Sequence, residues 1–252
     1  MIRALLTVLV ASLVVIVIGP PLLLLGFIYP SRWVIARGSE FWARAILWAA
    51  GVRLTIEGTE HTATEPPKFF MGNHQSALDI PILIAALRGD VRFMGKDTLF
   101  RIPLFGWVIL RYGYTPVHRS RPRVTLQTLN RMLARIRERP ISLAVFPEGT
   151  RTLDGRLLPF RKGTMKIGRR AGLPIVPFSI DGSMAVNSRD KFRAVPGRVR
   201  LTFAEPIPAE EVATMSPTEL HDRVHEAVLR GLEHPSSIAP RNDASLIMAE
   251  GT

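Results

Sequence analysis

The fold is decided by the stretch FFMGNHQSALD at residues 69–79 and by the apolar run that follows it to Leu87. Apolar and small residues come first, then a polar segment, and then a second apolar segment. This pattern predicts a strand, a tight turn and a helix. Turns of this kind present polar side chains from a rigid scaffold, so residues 73–79 are the first candidates for a functional site.

Two residues of this turn indicate acid–base chemistry. His74 is a candidate general base because an imidazole titrates near neutral pH. Its side chain can meet that of Asp79 if His74 lies in the turn and Asp79 lies one turn into the helix. Asp79 would then accept the proton of one ring nitrogen, which leaves the other nitrogen free to take a proton from a hydroxyl.

On spacing alone, a structural interpretation of the same residues is favoured. Ser76-x-x-Asp79 has the spacing of a capping box, in which Asp79 only helps to start the helix. The Gly-x-Ser-x-Gly frame of a serine hydrolase does not occur in residues 72–77. The stretch therefore predicts either a catalytic dyad that needs no enzyme nucleophile or a helix cap.

A second polar motif, FPEGTR at residues 146–151, follows the short apolar run 141–146, which predicts a buried strand. Polar groups at the end of a strand lie where α/β sheets bind ligands. Gly149 lets the backbone approach a ligand closely, and Arg151 offers a planar fork that matches phosphate. Glu148 can accept a hydrogen bond from a substrate hydroxyl or hold an arginine. An ordinary polar turn with a Glu–Arg pair is the alternative.

The N-terminal segment predicts membrane attachment. No charged residue occurs from Ala4 to Ser31, and an unbroken helix of that length would measure about 40 Å, enough to cross a bilayer. A cleavable signal peptide is the alternative, but no small-x-small site follows the run. Gly-Pro-Pro at residues 19–21 interrupts the run, so a kinked span and a helix that enters one leaflet both fit. The arginines after Ser31 predict a catalytic domain on the cytoplasmic side of the inner membrane.

Residues 31–50 predict an amphipathic helix. Its aromatic residues are interleaved with arginine, as in Trp33, Arg37, Phe41, Trp42, Arg44 and Trp48. Such a mixture is typical of the headgroup level of a membrane. A helix that packs on the core of the domain fits the pattern equally well.

Strand and helix patterns alternate along the rest of the chain, which indicates an α/β protein with a mixed, mostly parallel central sheet flanked by helices. The predicted strands are 52–57, 69–71, 91–94, 112–117, 141–146, 174–180 and 198–203. The later helices are 122–139, 162–171 and 217–232. The predicted organisation is N-terminal hydrophobic membrane-anchoring helices at 1–50, a single α/β domain at 51–234, and a disordered tail at 235–252.

The amino-acid composition excludes several kinds of site and indicates the charge of the binding partner. The 252 residues include no cysteine, which excludes disulfides, thiolate catalysis and Cys-based zinc sites. The formal net charge of +12 favours an anionic partner, either nucleic acid or an anionic membrane. The apolar N-terminus favours the membrane. The arginines are scattered and form no recognised nucleic-acid-binding motif, so no nucleic-acid partner is expected.

Taken together, the two motifs resemble the glycerolipid acyltransferase family, which includes the lysophosphatidic acid acyltransferases. The resemblance rests on NHQS-x-x-D at residues 73–79, on FPEGTR, and on two further blocks: Lys96, Leu99, Pro103, Gly106 and Arg119, and Ile175-Val176-Pro177. The four blocks occur in order over residues 68–180, which is more specific than either motif alone. His118 departs from the pattern, since close members tend to carry an acidic residue there, and this affects the choice of acceptor more than the type of reaction.

The resemblance implies a reaction and two catalytic residues. His74, oriented by Asp79, would take the proton from the free hydroxyl of 1-acyl-glycerol-3-phosphate, a lysophospholipid. The oxygen would attack the thioester of acyl-CoA or acyl-carrier protein and give phosphatidic acid. Backbone amides near the dyad, or Lys96, would stabilise the oxyanion. No metal or bound cofactor is expected, since the acyl donor is a cosubstrate.

The resemblance also implies the acceptor site. Arg119 and Arg151 would hold the phosphate, and Glu148 and Gly149 would place the glycerol, with Thr150 of the same motif beside them. Two other functions are compatible with parts of the sequence: a membrane-anchored nucleic-acid binder and a non-catalytic lipid-binding protein of the same fold. Within the enzyme class, the alternative acceptor is another lysolipid, such as a lyso-ornithine lipid.

Overall fold

The computed structural model describes residues 1–28, 32–62, 67–88, 91–117, 128, 132–134, 142–188 and 193–232. Several predictions fall largely or wholly outside these ranges, namely the helix 122–139, the tail 235–252 and the residues His118 and Arg119. These stay predictions, as do the domain boundaries drawn from the sequence.

The described residues form a seven-stranded sheet with the order β1-β7-β6-β2-β5-β3-β4. Its strands are β1 (Val52–Glu57), β2 (Phe69–Gly72), β3 (Val91–Lys96), β4 (Thr115–Val117), β5 (Ser142–Val145), β6 (Ile175–Asp181) and β7 (Gly197–Phe203). β6 and β7 pair antiparallel, whereas the other neighbouring strands pair in parallel. The predicted mixed, mostly parallel sheet is confirmed.

Helices cover both faces of this sheet. They are α1 (Ile2–Ile28), α2 (Arg32–Ala50), α3 (Asp79–Ala86), α4 (Phe105–Arg111), α5 (Lys162–Ala171), α6 (Ser183–Val186), α7 (Ala209–Thr214) and α8 (Pro217–Arg230). Local sequence determines several of their ends. A capping box between Ser216 and Glu219, with Pro217 following, starts α8. Gly172 ends α5 in the left-handed conformation that a helix C-cap favours.

Alternate residues of β2 belong to the two halves of the core. Phe70 packs with α2 and α3 on one face of the sheet. Phe69 and Met71 pack with α5 and α8 on the other face. A parallel strand that is buried on both faces is apolar at every position, which is why FFM shows no alternation in the sequence.

The first two helices form an antiparallel pair against the domain. Arg3, at the start of α1, donates a hydrogen bond from Nη1 to the carbonyl oxygen of Ala49, at the end of α2, over 3.3 Å. Residues Ile2–Leu25 make a helix long and apolar enough to cross a membrane by length and composition, and Pro20 and Pro21 lie inside it. The start of α1 is therefore attached to the body of the protein.

The predicted packing of this helix on the core is observed for one face of α2, whereas the headgroup-level interpretation of its other face stays a prediction. Ala43, Ile46 and Leu47 are buried in the core beside α3. On the outer face, Phe41 is 54% exposed and Trp48 is 74% exposed. The helix thus packs on the domain and presents aromatic side chains to the surroundings.

The structure differs from the sequence prediction around residues 104–117. A strand was expected at 112–117, but Tyr112 is the C-cap of α4 and β4 begins only at Thr115. A short apolar run does not distinguish a helix from a strand by its periodicity, and α4 lies in such a run. The short helices α6 and α7 were not predicted either.

Candidate active site

The two sequence motifs meet at one edge of the sheet. β2 and β5 are parallel neighbours, with Met71 aligned to Val145, so both strands end at the same edge. We call residues 73–79, which follow β2, the His74 turn, and residues 146–152, which follow β5, the Glu148 turn. The amide of Thr152 donates to the carbonyl oxygen of His74 over 3.0 Å, and this bond joins the two turns directly.

The His74 turn brings an imidazole and a carboxylate into contact. His74 Nδ1 lies 2.7 Å from Asp79 Oδ2, and Asp79 is fully buried. The same oxygen accepts the amides of Gln75 and Ser76 at 2.7 and 2.8 Å. Asp79 Oδ1 accepts the hydroxyl of Ser183, on α6, at 2.6 Å. Four hydrogen bonds therefore hold this carboxylate in one position.

Asp79 is also part of the helix start, but only half of a capping box is present. α3 begins at Asp79 itself, whereas the sequence placed Asp79 one turn further in. The amide of Ser76 donates to the Asp79 carboxylate, as in a capping box. The reciprocal bond is missing because Ser76 Oγ accepts the amide of Leu78 and donates to the carbonyl oxygen of Asn187. One carboxylate thus supports the turn and orients the imidazole.

The ring of His74 is held on a second side by an aromatic residue. It stacks on Phe146 with centroids 4.0 Å apart and planes 13° apart, and its side chain is 16% exposed. Because Nδ1 faces a carboxylate, we assign the ring proton to Nδ1. Nε2 has no hydrogen-bond partner within the described part of the chain. This geometry leaves Nε2 able to accept a proton.

Glu148 connects backbone segments. Its Oε1 accepts the amide of His74 at 2.6 Å and its Oε2 accepts the amide of Leu158 at 3.0 Å. Burial raises the pKa of Glu148 to about 8, and the nearby Asp79 acts in the same direction, while the two amide hydrogen bonds oppose the shift. A hydrogen bond to a substrate hydroxyl, the role that the resemblance implied, would have to use the lone pairs that these two amides leave unoccupied.

Gly149 makes room for a protein side chain. Its φ is +70°, and a Cβ there would lie 2.5 Å from Nε of Arg161. That Nε also donates to the carbonyl oxygen of Glu148 over 3.3 Å. The sequence predicted that the glycine admits a ligand, whereas the structure places the guanidinium of Arg161 beside it. Thr150, the next residue, is half-buried.

The amides nearest to the dyad are not available to an oxyanion. The N–H groups of Gln75 and Ser76 donate to Asp79, and that of His74 donates to Glu148. The expectation that these amides stabilise the tetrahedral intermediate is therefore wrong for these three. Lys96, the other candidate, is exposed at the end of β3.

An apolar cavity of about 680 Å³ adjoins both turns. Residues of four helices line it, among them Val8, Ile18, Trp42, Ile84, Phe105 and Val108. Ala77 and Leu78 contribute from the His74 turn, and Arg151 contributes from the Glu148 turn. Of the predicted substrate-binding cations, Arg151 lies at this cavity, Lys96 is not among its lining residues, and Arg119 lies outside the described residues.

Several residues that build the site were given no role by the sequence. Asn73 exchanges two 2.7 Å hydrogen bonds with the backbone of Ile180, which fixes the end of β2 to β6. Ser183 and Arg161 reach the site from distant segments, so no local pattern could reveal them. Phe146 belongs to the second motif, but its stacking on His74 depends on the pairing of β2 with β5. Among the described residues, no group of three or more His, Cys, Asp or Glu side chains is placed to hold a metal ion.

Comparison with known proteins agrees with this geometry. The Acyltransferase family model matches residues 53–181, which is more than half of the chain, so the protein belongs to the acyltransferase family. The 1-acyl-sn-glycerol-3-phosphate acyltransferase of Limnanthes douglasii is 30% identical over 196 residues, 77% of this chain and 68% of that protein. The enzyme of the same name from Saccharomyces cerevisiae is 27% identical over 225 residues, 88% of this chain and 73% of that protein.

A solved structure is similar over most of its length. The crystal structure of the 1-acyl-sn-glycerophosphate (LPA) acyltransferase PlsC from Thermotoga maritima superposes with a TM-score of 0.81 at 25% identity, covering 91% of this chain and 93% of that one. The family resemblance and the fold class inferred from the sequence are thereby confirmed. The individual roles of the site residues stay predictions.

Proposed function

We propose that this protein transfers a fatty acyl group from acyl-CoA or acyl-carrier protein to the free hydroxyl of 1-acyl-glycerol-3-phosphate, which gives phosphatidic acid for phospholipid synthesis. The observation that carries the proposal is the His74–Asp79 pair, which belongs to a turn that borders an apolar cavity through Ala77 and Leu78, with Arg151 lining the same cavity. The names of the similar proteins from Limnanthes and Thermotoga support this choice of acceptor.

The proposed reaction needs no covalent acyl-enzyme. The lone pair on Nε2 of His74 takes the proton of the acceptor hydroxyl while the hydroxyl oxygen attacks the thioester carbonyl. The tetrahedral intermediate collapses with cleavage of the carbon–sulfur bond, and the proton passes from Nε2 to the leaving thiolate. Asp79 keeps Nδ1 protonated and stabilises the imidazolium that forms between the two steps.

The cavity supports a substrate that carries a long acyl chain. Its lining comes mainly from apolar residues of α1 to α4, which suits a hydrocarbon chain. Arg151, at the same cavity, offers a guanidinium to the acceptor phosphate. We propose Arg119 as a second phosphate ligand and Lys96 as a cation at the edge of the site, and both follow from the family resemblance alone.

We further propose that the protein works at the cytoplasmic face of the inner membrane, attached through α1 and the exposed face of α2. The apolar outer surface of α1 supports this placement, since Leu9 and Ile16 are more than half exposed. High salt should leave the protein in the membrane fraction, because apolar insertion is not screened by ions. Release by high salt alone would mean that electrostatic attraction holds it instead.

One assay tests the reaction and the acceptor together. Purified protein in detergent is given a panel of lysolipids, including lysophosphatidic acid and a lyso-ornithine lipid, with both acyl-CoA and acyl-carrier protein donors. Mass spectrometry should detect phosphatidic acid as the main product. If only the lyso-ornithine lipid is acylated, that lipid and not lysophosphatidic acid is the acceptor. If neither donor supports acyl transfer to any lysolipid, the proposal is overturned.

A further inference from the structure

Large apolar side chains are exposed on one part of the described surface. Among the residues that the structure describes, every exposed large hydrophobic residue except Met1 and Leu153 lies in α1, in α2 or between residues 99 and 110. The last group consists of Leu99, Ile102, Trp107 and Leu110, with exposures of 37, 46, 63 and 48%. We call these four residues the 99–110 patch. Exposed apolar side chains that cluster in this way mark a binding surface.

Helix α4 is apolar on both of its sides. Phe105, Val108 and Ile109 face inward and line the cavity. Trp107 and Leu110, three positions apart on the opposite side, are exposed. A helix at the surface of a soluble domain normally carries polar residues on its outer face, whereas one that is apolar all round is covered by protein or by lipid.

The 99–110 patch continues the apolar surface of α1. A Cβ at Gly19, in α1, would lie 3.5 Å from the side chains of both Leu104 and Val108, so the two helices touch there. The ring of Phe105 also lies 6.2 Å from that of Trp42 in α2. Helix α4 therefore packs directly on α1 and lies against α2, so a leaflet that covers α1 also comes close to α4.

The composition of this segment is that of a membrane interface. Tryptophan and leucine at its surface suit the boundary between headgroups and acyl chains. Lys96, Arg101 and Arg111 give the segment a positive excess over Asp97, to which Arg101 is paired at 3.2 Å. Cations at that level attract anionic headgroups.

We propose that the 99–110 patch is a second membrane-contact surface, which enters the same leaflet as α1 in membranes that contain anionic phospholipids. The proposal rests on the proposed membrane attachment of α1 and adds a contact made by the catalytic domain itself. Helix α4 then forms the wall between the leaflet and the cavity, and a lipid substrate reaches the cavity without leaving the membrane.

Depth-dependent fluorescence quenching tests this contact. The chain has four tryptophans, so a variant with the other three changed to Phe leaves Trp107 as the only reporter. Matched variants keep Trp48 alone, on α2, or carry Thr218→Trp alone, on α8 at the opposite face of the sheet. Each is bound to vesicles of phosphatidylcholine and phosphatidylglycerol whose acyl chains are brominated at known depths. Circular dichroism checks that each variant is folded.

Trp107 and Trp48 should both be quenched and blue-shifted on these vesicles, and the reporter at position 218 should not. Quenching of Trp48 without Trp107 would overturn the proposal, because something other than lipid would then cover the patch. Equal quenching at all three positions would also overturn it, since binding would not be confined to this surface. Acyl transfer in detergent is measured separately, so a negative result for the membrane contact of the 99–110 patch does not refute the proposed reaction.

A double substitution tests the same contact in the otherwise natural chain. Trp107→Ser with Leu110→Ser should weaken partition into anionic vesicles by about tenfold or more, because two large apolar side chains no longer enter the leaflet. Neither residue lines the cavity, so turnover in detergent should stay near that of the natural protein. Unchanged partition of a folded double variant would contradict the proposal.

Discussion

The His74 turn and the Glu148 turn each contain a buried carboxyl group that accepts two backbone amides, and they differ in what else that group touches. Asp79 also holds the imidazole of His74 and the hydroxyl of Ser183. The oxygens of Glu148 meet amides from two other segments, at His74 and Leu158. The comparison leads us to expect that Asp79, which touches a titratable ring, affects proton transfer, and that Glu148, which touches only amides, affects backbone geometry.

The two carboxylates are nevertheless coupled through one residue. The amide of His74 donates to Glu148 while its ring contacts Asp79, so His74 is held from both turns. The negative charge of Asp79 contributes to the raised pKa of Glu148. Substitutions in the two turns should therefore separate chemical effects from positional ones.

Replacing the base should have the largest effect. His74→Ala should lower the turnover rate by about ten-thousand-fold or more, since proton transfer from the acceptor hydroxyl is lost. Loss of the stacking on Phe146 should cost about 1 kcal/mol of stability. A matched control exists in His221, whose Nδ1 lies 2.8 Å from Asp222 and whose side chain is 15% exposed. His221→Ala should keep full activity, and comparable losses in both variants would refute the assignment.

Removing the charge of Asp79 should cause the second-largest loss of activity. In Asp79→Asn the amide oxygen can still accept the bonds from Gln75 and Ser76, while its NH₂ group faces the Ser183 hydroxyl. Stability should therefore fall by only about 1–2 kcal/mol, whereas the single-turnover rate should fall by about 10³–10⁴ because the imidazolium is no longer stabilised. Asp222→Asn is the control. A stable and fully active Asp79→Asn protein would reduce Asp79 to a helix cap.

The arginine of the Glu148 turn should show an intermediate effect. Arg151→Ala should weaken use of a phosphate-bearing acceptor by about 2–3 kcal/mol, or roughly 30- to 150-fold in kcat/KM, because a charge-assisted contact is lost. An acceptor without phosphate should be affected much less. Equal losses on the two acceptors would show that Arg151 supports the structure of the turn instead.

Glu148 should have the smallest effect on rate and a visible effect on stability. Glu148→Gln should lower kcat by no more than about tenfold with an unchanged KM for the acceptor, because the side chain positions His74. A large increase in KM would instead indicate direct contact with the glycerol. Comparing kcat and KM thus tests the role that the family resemblance assigned to this residue.

The same variant should change how stability depends on pH. The pKa of Glu148 is raised from 4.5 to about 8, so the folded protein keeps this proton where the unfolded chain has released it. The resulting stability is complete below pH 4.5 and is lost as the pH rises to about 8, by at most about 5 kcal/mol. Denaturation at several pH values should show a steeper decline for the natural protein than for Glu148→Gln. A rise with pH relative to the variant would mean that Glu148 is ionised when folded.

Much of the fold could be predicted from the sequence because the patterns that mark its strands and helices involve residues close together in the chain. The strand at 52–57 and the helix at 162–171 were predicted with the bounds that the structure has, since alternation marks the first and Gly172 ends the second. Helix α4 was not predicted, because its apolar residues face the cavity on one side and the exterior on the other, which removes any periodicity.

By itself, the sequence determined the α/β class, the membrane-attachable N-terminus, and the two polar motifs that place the protein in its family. Each of these depends on residues that are close together in the chain or on a simple count. Tertiary structure alone decided which partners these motifs meet. The pairing of β2 with β5 stacks Phe146 on the ring of His74 and brings the side chain of Glu148 to the backbone amide of His74. Helix α6 brings the hydroxyl of Ser183 to Asp79. Contacts between residues roughly 70 to 100 positions apart depend on strand order, and strand order is set by packing of the whole domain.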